Sequence, residues 1–192
     1  MKVISILLSL LIFSKIVLAG YSEDFDKIKD LGRDLEPTGA ICEEVARLRF
    51  VEMFPKPDFS VVTGIEYSDK DGTVGELDVV VFNNQSKIAQ VIAEVKCWTN
   101  AKNGLKKAKE QRQRFLLNVK SSKALKFKWL DDPKLPLTKT QFNKVSDFYF
   151  VGQSGTQSEG FDYELPYSLR ELMDLRKEIL VCQSNGKCQK PK

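Results

Sequence analysis

The segment Ile88-Ala89-Gln90-Val91-Ile92-Ala93-Glu94-Val95-Lys96-Cys97-Trp98 is nearly continuous apolar sequence, as in a strand covered on both faces, yet Glu94 and Lys96 stand inside it. Burying a carboxylate and an ammonium costs several kcal/mol each unless they meet partners or a metal. Side chains alternate along a strand, so Glu94 and Lys96 share one face while Val95 and Cys97 take the other. A core strand carrying two charges on one face needs a sheet built around a polar site.

Two further runs precede it, Phe59 to Tyr67 and Val74 to Phe82. Asp69-Lys70-Asp71-Gly72 and Asn83-Asn84-Gln85-Ser86 separate the three as hairpin turns, which makes neighbouring strands antiparallel. Asp78, in Gly75-Glu76-Leu77-Asp78-Val79, falls on the strand before Glu94. Facing side chains of adjacent antiparallel strands lie about 4.5–5.5 Å apart, so Asp78 and Glu94 can share one cation. Glu76 points to the same side as Asp78, as an outer ligand or as a residue at the strand's solvent end.

Around these strands the pattern is helical. Thr38 is the expected N-cap of a helix from about Gly39 to Phe54, stopped by Pro55 and Pro57, with Ile41, Val45, Leu48 and Val51 as its apolar stripe. A second helix is expected from Asn100 to Val119; Leu105, Ala108, Phe115, Leu116 and Val119 share one side, and Arg112 interrupts that stripe. Residues 121–145 read as an irregular insertion with Trp129 and Leu130 tucked against the core. Asp147 to Gly152 reads as a fourth strand, Gly155 to Gly160 as a flexible loop, and Leu169 to Leu180 as an amphipathic terminal helix. Tyr21 to Leu35 reads as a short helix or an ordered lead-in.

Residues 1–20, with Lys2, an apolar stretch and the small pair Ala19-Gly20, read as a secretory signal. The rest, 21–192, suits a single domain with its own core and without stable membrane insertion. Localisation is then secreted or periplasmic. Export makes the four cysteines candidates for disulfides. Cys182 and Cys188 enclose a short loop and form the easiest pair, leaving Cys42 with Cys97; all three connectivities stay open, as do buried thiols at Cys42 and Cys97. No histidine occurs anywhere. That removes Ser-His and Cys-His hydrolases, zinc hydrolases with histidine ligands, and nucleases whose general base is histidine. Any chemistry must run on carboxylates, lysine, tyrosine or a metal held by oxygen.

With Asp78 on the second strand, Glu94-Val95-Lys96 on the third and Glu43-Glu44 on the preceding helix, the chain resembles the PD-(D/E)xK nuclease superfamily over roughly residues 38–152. Gly75-Glu76-Leu77-Asp78 followed by Ala93-Glu94-Val95-Lys96 is similar to its Holliday-junction-resolvase-like branch. The resemblance implies an α/β fold with a restriction-endonuclease-like αβββαβ core, a central mixed sheet flanked by helices. It also implies Mg²⁺ or Mn²⁺ held by Asp78, Glu94 and the Val95 carbonyl, with water completing the shell. Glycine-then-glutamate spacing after Gly39 favours Glu43 as the helical acid, whereas helical spacing sets Glu44 beside the apolar stripe; both stay candidates, the unused one being a solvated helix charge.

The implied activity is metal-assisted hydrolysis of DNA phosphodiesters with little sequence specificity, an endonuclease or an exonuclease. Lys96, its pKa lowered beside the ion, would orient or deprotonate the attacking water, or stabilise the pentavalent phosphate. Lys102, Lys106, Lys107, Lys109, Arg112, Arg114, Lys120, Lys123, Lys126 and Lys128 form a basic tract able to neutralise backbone phosphates. Within it Lys106, Gln111, Arg112 and Arg114 are the expected substrate contacts. A catalytically inactive nucleic-acid-binding protein of the same fold, and a nuclease acting on RNA or on unusual DNA structures, are the competing readings.

Overall fold

Three antiparallel strand pairs and two parallel ones organise the sheet. The structure, a computed structural model, describes residues 20–191, which fall into two compact units, residues 39–172 and residues 20–38 with 173–191. The expected signal, residues 1–20, lies outside the described residues but for Gly20. No described helix is long and apolar enough to cross a membrane.

The larger unit is α/β. A helix, α2 (Ala40–Met53; α1 is the helix at residues 20–29), leads into β1 (Phe59–Asp69), β2 (Gly72–Asn83) and β3 (Ala89–Lys96). The long helix α3 (Ala101–Lys120) follows, then β4 (Lys126–Trp129), β5 (Asp147–Gly152) and the two-residue β6 (Tyr163–Glu164). These make one open six-stranded mixed sheet of order β4-β1-β2-β3-β5-β6. Strands β1 to β3 form the expected antiparallel meander, and β5 lies parallel to β3 after the α3 crossover. Asn100 caps α3 by accepting from the Asn103 N–H at 3.0 Å.

Alternation along β5 sets the two layers. Phe148 and Phe150 lie under the Arg112 guanidinium of α3, at 5.2 and 5.7 Å, while Tyr149 between them turns to Phe50 of α2. The helices therefore cover opposite faces of the sheet. On the α3 side Tyr67, Phe115, Phe127, Phe142 and Phe148 interlock around Leu77, Val80 and Ile92. Their edge-to-face and stacked contacts add to a large area of buried apolar surface.

Two local expectations are corrected. Thr38 does not cap α2: Gly39 is the N-cap, with no side-chain bond, and its carbonyl takes the Cys42 and Glu43 N–H groups at 2.9 and 3.2 Å. Residues 121–145 are not wholly irregular, since Lys126–Trp129 pairs with Ser68 to Ile65 as an edge strand. Phe127 is buried and the Trp129 indole N–H donates to the Thr63 carbonyl at 2.9 Å, but Leu130, expected against the core, is exposed. Lys126 and Lys128 are the outward half of that alternation, the usual protection of an edge.

In the smaller unit, residues 30–38 are tied to the C-terminal part of α4 (Leu169–Ser184). The Arg176 guanidinium donates to the Leu35 and Glu36 carbonyls, and the Gln183 side-chain amide donates to the Arg33 and Gln189 carbonyls at 3.0 Å. Cys182 and Cys188 are disulfide-bonded, as the spacing suggests. That bridge closes the chain behind α4.

Gly75 sits directly across from Tyr67 in the β1–β2 register, and the tyrosine ring lies over it. A Cβ there would come 2.7 Å from Tyr67 Oη and 2.9 Å from its ring carbons, and this ring is buried with no space to yield. Gly75→Ala is expected to destabilise the fold by about 1–3 kcal/mol. A lower urea midpoint at unchanged m-value is the reading to look for; an unchanged midpoint would show that the ring relaxes freely.

Candidate functional site

The β2–β3 ladder ends at Val79 opposite Ala93. Beyond it the next inward N–H of β3, that of Val95, donates not to a β2 carbonyl but to Asp78 Oδ2, at 2.7 Å. A side chain thus replaces the backbone ladder, and the strands are bridged by a carboxylate.

Lys96 completes the arrangement. Its Nζ lies 2.7 Å from Asp78 Oδ2, 3.0 Å from the Val95 carbonyl and 3.7 Å from Glu94 Oε2. All three groups assigned by resemblance to a cation therefore surround one positively charged nitrogen. Asp78 and Glu94 are buried and Lys96 nearly so. Glu94 Oε2 has no hydrogen-bond partner among the described residues, only the more distant ammonium. Burial first, then the Asp78 charge, push the Glu94 carboxyl well above the usual carboxylate range. For Lys96, burial opposes the charge, but Asp78, Glu94 and Glu43 together outweigh it, and its pKa is raised. The carboxylates surrounding the amine thus favour the ammonium, whereas the lowered lysine pKa is the expectation for the amine beside a bound ion.

The two helical glutamates separate cleanly. Glu43 faces the site: burial pushes its carboxyl up to about 8, with the charges of Asp78 and Glu76 adding and Lys96 opposing. Glu44 is buried elsewhere, its Oε2 2.7 Å from Arg47 Nε and its Oε1 accepting from the Thr63 hydroxyl at 3.2 Å. It is not a solvated charge, because a carboxylate on the apolar stripe must bring its own cation inside. Glu76 is at the solvent end of β2; partial burial and then the Asp78 charge raise its pKa.

A disulfide joins these elements. Cys42, beside Glu43, is bonded to Cys97, beside Lys96, with Cα atoms 6.4 Å apart. The turn carrying the helical acid is thereby fastened to the end of the strand carrying the lysine. On the other side Gly104 of α3 seats Lys96, since a Cβ there would stand 3.3 Å from Lys96 Cβ.

The basic helix divides by face. At about 100° per residue, Gln111 follows Gly104 on the inner side of α3 and Arg114 stands at its flank. Arg114 is near enough to Tyr67 to hydrogen-bond its hydroxyl, and its charge acts on Glu94. Gln111 keeps a buried side-chain oxygen without a partner among the described residues. Lys106 is exposed on the side away from Gly104, so the structure does not bring it to the site. Arg112 is half-buried over Phe148 and Phe150. Lys107 is exposed one turn from Gly104, beside the inner face.

No family model, curated protein or solved structure matches the chain. The site is therefore read from its own chemistry. Among the described residues no three acidic or sulfur side chains are drawn together tightly enough to form a metal cluster on their own. The donors nevertheless suit a hard cation: they are all oxygen, two are carboxylates, one is a backbone carbonyl, and they already converge on a unit positive charge.

Trp98, expected at the end of the third strand, lies beyond it. Strand β3 stops at Lys96 and Trp98 is exposed.

Glu43 gives a pH-dependent signature. Between the ordinary carboxylate range and about pH 8 the folded chain holds a proton on Glu43 that the unfolded chain has released, so its contribution to stability falls as pH rises through that window. Without divalent ions, Glu43→Gln is expected to gain of order 1–3 kcal/mol over the parent at pH 8 and nothing at pH 4. Urea titrations at both pH values check this; an equal effect at each would mean that Glu43 is not desolvated.

Proposed function

We propose that the chain is a divalent-cation-dependent nuclease that hydrolyses DNA phosphodiesters, with Asp78, Glu94 and the Val95 carbonyl as ion ligands and Lys96 as the cationic partner of the phosphate. The supporting observation is the convergence of these groups on one point at the splayed ends of β2 and β3. It is the arrangement implied by the resemblance to PD-(D/E)xK nucleases, on a mixed sheet in which α2 is followed by β1, β2 and β3. Two disulfides suit an oxidising compartment, in keeping with a secreted enzyme.

Bound at these oxygens, Mg²⁺ or Mn²⁺ would polarise the scissile phosphate and lower the pKa of a coordinated water. The chain's own residues do the rest. Lys96, whose ammonium form the surrounding carboxylates favour, would serve as a donor to the developing negative charge on phosphorus oxygens. Asp78, anchored by the Val95 N–H, keeps a fixed carboxylate at the strand end. Glu43, neutral at mildly acidic pH, avoids stacking another negative charge beside Asp78 and Glu76, and ionises where a cation draws it. Lys107 and Arg114 flank the approach, where contacts to backbone phosphates carry no sequence information.

Lys96 holds the same oxygens as the ion, so the two positive charges compete. The expected outcome is that the purified protein nicks plasmid DNA with Mg²⁺ or Mn²⁺ and not with EDTA. Lys96→Ala and Asp78→Asn should each lose at least about a hundredfold in cleavage. Lys96→Ala should still bind the ion at least as tightly as the parent, seen by calorimetry and by a metal-dependent rise in Tm. Cleavage that ignores EDTA, or a Lys96→Ala variant of full activity, would overturn the assignment. Salt-sensitive DNA binding without hydrolysis in either metal would favour a binding protein of this fold.

A further inference from the structure

We propose that Trp98 is a stacking platform for an unpaired nucleobase beside the scissile phosphate, which makes single-stranded nucleic acid the preferred substrate; this rests on the nuclease reading above. Trp98 is 44 % exposed, and it is the one exposed aromatic side chain among the described residues. Every other tryptophan, tyrosine and phenylalanine of the described chain is at least partly covered. The exception stands two residues from Lys96.

Its backbone is held firmly while much of its side chain stays open to solvent. Cys97, immediately before it, is disulfide-bonded to α2. The Trp98 carbonyl accepts from the Gln153 side-chain amide at 2.8 Å, and Gln153 is itself buried. Gly104 seats Trp98 and Lys96 together: a Cβ on that glycine would stand 3.5 and 3.6 Å from Trp98 Cβ and Cγ and 3.3 Å from Lys96 Cβ. The indole and the site lysine thus rise from the same patch of α3. A ring fixed at its root loses little freedom when a flat partner settles on it.

The chemistry around the ring selects the partner. Lys107, exposed beside the inner face of α3, supplies positive charge on that side, whereas Lys102 lies on the side away from Gly104 and meets Glu159 at 3.6 Å. A flat aromatic face next to cations and a phosphate-binding centre suits a base attached to its phosphate. In a duplex each base already stacks on its neighbours and is out of reach, whereas a single strand offers its bases freely. Trp98 therefore discriminates by strandedness and not by sequence, since every base has a face to offer.

The test compares Trp98→Ala, Trp98→Phe and Trp129→Phe in the full chain, with oligothymidylate and its duplex with oligoadenylate as probes. In steady-state cleavage, Trp98→Ala should raise KM for the single strand about tenfold or more, cost the duplex at least fivefold less, and change kcat less than KM; Trp98→Phe should recover most of the loss. In EDTA, where nothing is cut, oligothymidylate should quench intrinsic fluorescence in the parent and in Trp129→Phe but not in Trp98→Phe. Equal losses on both substrates, no loss at all, or quenching that vanishes only with Trp129→Phe would overturn the platform. If no nucleic acid is cleaved, the nuclease reading fails separately, and the metal-free quenching still decides for or against stacking at Trp98.

Discussion

The ammonium of Lys96 holds together a group of acids that otherwise repel one another. Asp78 and Glu94 are buried, Glu43 and Glu76 add their charges from α2 and from the end of β2, and one cation stands among them. Without a positive charge there, the splayed ends of β2 and β3 would have to protonate, separate or admit an ion. The elevated Glu94 and Glu43 carboxyls already show the first of these responses. This balance explains why a lysine is tolerated inside an apolar strand: it neutralises its own surroundings, and it leaves the cluster able to exchange one cation for another.

Holding such a cluster requires stiffness in what surrounds it. The Asp78 to Val95 N–H bond substitutes for the missing ladder, the Cys42–Cys97 bridge fastens α2 to the strand end, and Gly104 lets α3 approach Lys96 closely. Behind them the aromatic cluster on the α3 face fixes β1, β2 and β3 against that helix. The Arg112 guanidinium belongs to this support. Lying over Phe148 and Phe150, it buries its stem in the stripe and keeps β5 alongside α3, so the interruption of an apolar helix face by arginine has a packing cause.

Much of the architecture was legible because period and punctuation agreed: β-branched runs between Asp-Gly and Asn-rich turns, then a long helix opened by Asn100. The edge strand Lys126–Trp129 was not, since four residues alternating lysine with aromatics look like a basic tract until a neighbour pairs with them. Asp78, Glu94 and Lys96 were legible as a group because apolar flanks made their charges costly. The Glu43 and Glu44 choice was not, because adjacent helical residues differ by about 100° and only the placement of Arg47 and Thr63 decides which carboxylate turns inward to a partner. The sign of the Lys96 shift among its carboxylates was not legible for a related reason. Burial alone lowers a lysine pKa, and only the number of acids drawn around it, a tertiary property, reverses the sign.

Where the acids gather also determines what can be placed beside them. On its β2 side the ladder stops at Ala93 and Asp78 takes the Val95 N–H, while pairing with β5 carries β3 on to Lys96; past Lys96, Cys97 and Trp98 are released from its alternation. Cys97 turns to α2 and forms its bridge; Trp98 is left outside with its carbonyl held by Gln153. An indole in that position gains nothing for the core and costs exposed apolar surface next to a charged centre. The end of β3 at Lys96, the Cys97 bridge and the Gln153 contact together therefore set an aromatic face two residues from the site lysine, so the backbone that positions the ammonium also positions the indole.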